Sequence, residues 1–247
     1  MKTTLAPQAT EASAAPRWSP VRVAAGGVLT LWAGLFWFLL LTGRSSLYLS
    51  SRTDWLVPMG AAILTVAAVG RIASARTTHP EAPSRRETWI LGAIAVPAVL
   101  LLALPPITLG TYSVDRRSSF AGSGIGATAR AVTGELDFVD VGAAQSFDAA
   151  LQQLTARGGE PITLEGIVAE DAGLPADELL LARYIVTCCV ADATVARVRV
   201  VGVPPGAFAA EDWVRVEGRV YPVGREVLVA AETVEAIPVP DRPYLTP

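Results

Sequence analysis

Two patterns divide the chain. Residues 23–42, 55–69 and 89–110 contain no Asp, Glu, Lys, Arg or His, whereas beyond residue 134 apolar and polar positions alternate in short runs. A helix needs roughly 20 apolar residues to cross about 30 Å of hydrocarbon, so the first and third stretches predict full membrane spans. The second is shorter. Arg52 and Asp54 bound it upstream, which predicts a thin or tilted span whose ends those charges mark, with flanking arginine snorkelling to the interface. The first stretch is longer than the apolar region of a signal peptide, follows a polar tail, and ends in Thr42-Gly43-Arg44-Ser45 rather than a small-x-small cleavage site. A retained span is expected.

Residues 111–134 are rich in Gly, Ser, Ala and Arg, with Gly122, Gly124 and Gly126 at alternate positions. No Lys-Ser/Thr follows and no strand precedes, so a tether is expected rather than a phosphate loop. In residues 146–157, Phe147, Leu151 and Leu154 fall at helical spacing, with Ser146 as N-cap and Gly158-Gly159 as the stop. Five strand-like runs follow, at 162–169, 180–187, 194–201, 213–220 and 226–234. The run Val214-Arg215-Val216-Glu217-Gly218-Arg219-Val220 puts valines on one side and charges on the other, the mark of a half-buried strand. Gly166 and Gly218 inside strands suggest the bulges or bends by which a small barrel closes. The fold class is α+β: three transmembrane helices, then a small all-β, OB-like domain with one short preceding helix. A small β-sandwich is the second topology. The expected division is a tail over 1–22, a three-helix region over 23–110, a flexible linker over 111–134 and the β-domain over 135–247.

Composition agrees, with 51% hydrophobic residues and a mean hydropathy of +0.42. Lys2, Arg17 and Arg22 in the tail and Arg71, Arg76, Arg85 and Arg86 after the second span outnumber Arg44 and Arg52 after the first. The excess of cations predicts a cytoplasmic N-terminus and an extracytoplasmic C-terminal domain in a multi-pass protein of a bacterial-type cell membrane. Arg116 and Arg117, on the outer side, reduce the asymmetry. Residues 135–247 hold 18 acidic and 8 basic side chains. So acidic a surface repels phosphates, and nucleic acid is not expected as a partner despite the OB-like topology.

Both cysteines lie in the segment 183–193, which reads Arg-Tyr-Ile-Val-Thr-Cys-Cys-Val-Ala-Asp-Ala. Three readings stand for Cys188 and Cys189. They are small buried hydrophobes at a strand end, facing opposite ways; or they form a strained vicinal disulfide; or their thiolates bind a soft metal ion, with Asp192 as a hard ligand and Arg183 lowering a thiol pKa. The single histidine, His79, falls in the cytoplasmic loop, so neither a standard zinc cluster nor a nucleophile-histidine pair can be assembled on the outer side. The carboxylate pairs Glu170-Asp171, Asp177-Glu178 and Glu211-Asp212 fall where turns are expected. No enzyme is predicted, and no cofactor beyond a metal ion at the cysteine pair. The spans lack the ionisable residues of an ion path, while Gly26-Gly27, Gly60-Ala61-Ala62 and Gly92-Ala93 suit packing against other helices.

The Cys-Cys-x-Ala-Asp core at 188–192, with the flanking run 183–193 and Asp212-Trp213-Val214-Arg215-Val216-Glu217-Gly218, resembles the signature of the YcgQ-type permease-subunit family. The similarity is good over about 160–237 and loose over the spans. It marks Arg183, Trp213 and Gly218 as motif residues and implies a membrane protein acting beside a separate multi-span permease, with partners similar to proteins linked to metal or metalloid export. It supplies no catalytic residues. The leading expectation is an accessory, non-catalytic subunit of a two-component permease complex, embedded in the lipid bilayer. The alternatives are an envelope metal or redox sensor using the thiols, and a structural module that binds another protein by edge-strand addition.

Overall fold

The computed structural model describes residues 16–78, 80, 82–104, 109–111, 114, 134–170 and 173–246. The described residues of Met1–Leu41 and Val57–Pro105 form one compact unit, and those of Thr42–Leu56 and Pro106–Pro247 a second. His79, Asp171 and nearly all of the expected linker lie outside the described residues.

The first unit is built on three helices long and apolar enough to cross a membrane: α1 (Pro20–Leu41), α2 (Leu56–Ala73) and α3 (Arg85–Ala103). A two-residue strand, β1 (Arg17–Trp18), pairs with β2 (Arg76–Thr77), and the Arg76 guanidinium stacks 5.1 Å from the Trp18 ring. The second helix differs from its sequence expectation. It gains length downstream, through Arg71 to Ala73, and its 18 residues reach about 27 Å. Upstream it begins at Leu56, just after Arg52 and Asp54, which bound that end as the sequence predicts; residues 44–47 form a 3-10 turn that belongs to the other unit. The start of α3 is fixed by a capping box: Ser84 Oγ accepts from the Glu87 N–H, and the Glu87 carboxylate accepts from the Ser84 N–H.

Glycines on α1 and α2 make room for side chains of the other helix. A Cβ on Gly26 would lie 2.6 Å from Ile72 Cγ1, and one on Gly60 would lie 2.7 Å from the Phe36 ring. Trp37 Nε1 donates to Thr65 Oγ1 at 3.1 Å, and Trp32 Nε1 donates to the Ile94 carbonyl at 3.0 Å, tying α1 to both neighbours. Gly27 and Gly92 have open space instead.

The second unit holds a closed five-stranded barrel of β3 (Pro161–Ala169), β4 (Glu178–Ile185), β5 (Thr194–Val201), β6 (Trp213–Val223) and β7 (Glu226–Ala236). Its strand order is β3-β4-β5-β7-β6, closing back to β3, with β5 and β7 parallel and every other pair antiparallel. This OB-like topology has the five strands the alternation predicts. Gly218 lies at the register shift between β6 and β7, where a Cβ would collide with the Ala230 carbonyl. Gly166 has a different reason: its missing Cβ leaves room for the Ala182 carbonyl of the neighbouring strand.

Two helices precede the barrel where one is expected. α4 (Phe138–Ser146) starts at a capping box between Asp137 and Asp140, and α5 (Asp148–Ala156) follows directly after Phe147. Ser146 therefore ends one helix and does not cap the other. Phe138, Val139, Val141 and Leu154 join the barrel residues Leu164, Leu181, Val198, Val214, Val216 and Val229 in one core. A second cluster, on the opposite face of the strands, gathers Ile167, Tyr184, Val186, Val195, Trp213 and Tyr244.

Candidate functional site

Strand β4 ends at Ile185, three residues before the first cysteine. Beyond it the chain bends, Cys189 is extended, and a 3-10 turn over Val190–Asp192 brings the Asp192 side chain back. Its carboxylate accepts from three consecutive backbone N–H groups: Thr187 at 3.0 Å, Cys188 at 2.8 Å and Cys189 at 3.4 Å. One acidic side chain thus satisfies the donors of a tight loop that no strand neighbour serves.

The cysteines do not alternate across a strand, because they lie past its end. Their Sγ atoms are 3.8 Å apart, and both are free thiols. Cys188 is exposed and Cys189 half-buried, which sets aside the reading of two buried hydrophobes. Both sulfurs and a carboxylate oxygen of Asp192 lie within 4.8 Å of one another. Hydrogen bonding to Asp192, then to Cys189, with a smaller contribution from burial and from the nearby negative charge, pushes the Cys188 thiol up to about 11. Asp192 moves the other way. Burial opposes its ionisation, but the Cys188 thiol and the N–H groups of Cys188, Thr187 and Cys189 outweigh that and hold the carboxyl below its ordinary value.

Arg183 does not lower a thiol pKa. It is 4% exposed and points elsewhere, its guanidinium 4.8 Å from the Trp213 ring centroid. Nη1 donates to the Glu165 carbonyl at 2.8 Å and Nη2 to the Arg242 carbonyl at 3.0 Å, while the Glu165 carboxylate is 4.0 Å away. Burial lowers its pKa to about 10, against the pull of Glu165, so it stays charged at neutral pH. Two motif residues, Arg183 and Trp213, therefore form one stacked pair in the barrel wall. Gly218 serves the bulge, and neither it nor the stacked pair belongs to the thiol group.

The sequence reading missed the loop that holds the thiols in place. Residues from the connection between α1 and α2 bond directly to the cysteine segment. Leu49 and Cys189 form an antiparallel bridge, Val190 N–H donates to the Tyr48 carbonyl at 2.9 Å, and Ser50 N–H donates to the Cys188 carbonyl at 3.2 Å. Ser50 Oγ donates to the Thr187 carbonyl at 2.8 Å and Thr53 Oγ1 to the Cys188 carbonyl at 2.6 Å. The C-terminal segment flanks the same place: Leu245 bridges Ile185, and Arg242 pairs with Asp54 at 2.8 Å. Nothing in residues 45–54 marks them for this task except a density of Ser and Thr.

The carboxylates expected in turns are engaged in the fold, and Glu178 opens β4 instead of lying in a turn. Glu178 pairs with Arg199, Asp212 accepts from the Ala209 N–H at 2.8 Å, and Glu211 accepts from the Thr111 N–H at 2.8 Å.

No curated protein matches the chain. Residues 145–247, which take in α5, the barrel and the thiol loop, match the family model of the DUF1980 C-terminal domain.

Proposed function

We propose that the chain is a non-catalytic accessory subunit of a two-component permease complex in the cell membrane, with a cytoplasmic N-terminus and an outward-facing barrel. The observation that carries this reading is the character of the spans. Their apolar windows hold no ionisable side chain to line a solute path. α3 also exposes Trp89, Ile90, Ile94, Val96, Val99 and Leu100. Gly92 and Ala93, between Trp89 and Val96, open a groove of about 620 Å³, a surface suited to an apolar helix of a multi-span partner. The DUF1980 C-terminal domain is consistent with the YcgQ-type resemblance. The α1–α2 connection and the barrel fold as one unit, so they share a side of the membrane, as three crossings require in either orientation; the choice of side rests on the arginine and lysine asymmetry.

The test is affinity purification through a C-terminal tag after native expression and mild solubilisation. A multi-span permease should co-purify, and less of it with Gly92→Phe. Recovery of the chain from native membranes without any multi-span protein would remove the proposal. A second reading, a thiol-based envelope sensor, is favoured by the exposure of Cys188. Under it, replacing both cysteines with Ser abolishes the response to metal or oxidant and leaves any co-purification intact.

A further inference from the structure

We propose that Cys188, Cys189 and Asp192 bind a thiophilic divalent cation of the zinc class, through two thiolates and one carboxylate oxygen, with the fourth coordination position open to solvent. The inference goes beyond the accessory-subunit reading and does not depend on it.

Three observations carry it. The first is the bite of the two sulfurs. Zinc–thiolate bonds of about 2.3 Å at a tetrahedral angle place the sulfurs about 3.8 Å apart, and here they are 3.8 Å apart before any metal arrives. Adjacent cysteines in a strand would point to opposite faces. The bend after Ile185 removes that alternation and makes the pair a chelate.

The second is the state of Asp192. An ionised carboxylate offers about four acceptor directions. Backbone N–H groups of Thr187, Cys188 and Cys189 occupy three, and a carboxylate oxygen lies within 4.8 Å of both sulfurs. A cation would enter between that oxygen and the two sulfurs, leaving the backbone bonds in place. The carboxylate is therefore oriented in advance, as outer-shell partners orient a metal ligand. Binding releases two thiol protons to solvent, and two thiolates, one carboxylate and M²⁺ leave a net charge of minus one.

The third is access and rigidity. Cys188 is exposed, and residues 135–247 have ten more acidic than basic side chains, so cations are drawn to this surface. The Thr187 and Cys188 carbonyls are held by Ser50 and Thr53, and Val190 by Tyr48, so the ligands are carried by a braced loop. Two sulfur donors select against Mg²⁺ and Ca²⁺, which demand oxygen. Three protein ligands and an open position describe a site that accepts and releases its ion, not a closed structural one.

The experiment uses the full chain in mild detergent, reduced and stripped of metal, titrated with Co²⁺ as a spectroscopic probe and then with Zn²⁺. The expected result is one Co²⁺ per chain with thiolate-to-cobalt charge-transfer absorption and tetrahedral ligand-field bands, both abolished by Zn²⁺ and untouched by excess Mg²⁺. Cys188→Ser and Cys189→Ser should each weaken binding about 100-fold, and Asp192→Asn about 10-fold. Co-measured thermal melting curves establish that each variant is folded. Absence of charge-transfer absorption with the parent chain, or unchanged Co²⁺ binding by the folded double Ser variant, overturns the site. Either result leaves the co-purification test of the accessory role standing separately.

Discussion

Removing the charge of Asp192 should accelerate the chemistry of Cys188. The carboxylate accepts the thiol proton and adds a nearby negative charge, and together with Cys189 it raises the thiol from an ordinary value of 9.0 to about 11. At pH 8 the thiolate fraction is then about 0.1% instead of about 10%, a hundredfold difference. Part of this is returned, because a more basic thiolate attacks faster. With a Brønsted coefficient of about 0.45, the intrinsic gain is about 8-fold. The net suppression is roughly 10-fold with both partners present. The assay is exchange with a chromogenic aromatic disulfide in a Cys189→Ser background, where Cys188 is the single thiol and only the larger part of the shift, owed to Asp192, remains; there Asp192→Asn should raise the rate by up to about 10-fold. The amide oxygen of Asn still accepts from a backbone N–H, so the loop keeps part of its bracing. The sign is fixed by the direction of the shift. The rate of the Cys189→Ser parent keeps climbing to a higher pH than that of the chain also carrying Asp192→Asn, and their ratio is largest well below both midpoints. Equal rates at pH 8 with a shared midpoint would refute the assignment of the raised thiol to Asp192.

Other expectations follow from the same geometry. Arg183→Ala leaves the Glu165 and Arg242 carbonyls without their donor and strips the Trp213 ring of its cation; a loss of about 2–4 kcal/mol is expected in denaturant melts, and Arg183→Lys, which lacks the planar fork, should restore only part of it. Gly218→Ala drives a methyl into the Ala230 carbonyl and should cost about 2–3 kcal/mol by the same measurement. Ser50→Ala with Thr53→Ala removes two side-chain bonds to the thiol segment, about 1–3 kcal/mol of local bracing; amide exchange should quicken in residues 187–190 while the strands of the barrel stay protected. Unchanged exchange there would mean that the loop is held by the barrel alone.

What could be read from the residues beforehand was whatever repeats locally. Charge-free windows found the three helices, since burial in lipid excludes ionisable groups over a full span. Alternation found the five strands, and Gly166 and Gly218 were singled out correctly, although only Gly218 marks a register shift. Helix α4 escaped because Phe138, Val139, Val141, Ala143 and Ala144 are all buried, and a segment enclosed on every side has no amphipathic period to detect. One of the three readings of the cysteines, opposite faces of a strand, depends on extending β4 to residue 187; the strand stops at Ile185, and the rule of alternation stops with it. Arg183 was linked to the thiols because it is near them in sequence, yet its stacking on Trp213 and its bonds to two distant carbonyls point it into the barrel wall. The contribution of Tyr48, Leu49, Ser50 and Thr53 is non-local, reaching across more than 130 residues of chain, and no local pattern carries such information.

The proposed role requires an odd number of crossings that carries the thiol-bearing barrel out of the cytoplasm. A single cysteine at exposed Glu217 on β6, in a chain with Ser at 188 and 189, gives the most direct reading through labelling with a membrane-impermeant maleimide. Labelling of intact cells at the rate seen after permeabilisation is the predicted result. Protection in intact cells, relieved when the membrane is opened, would contradict it.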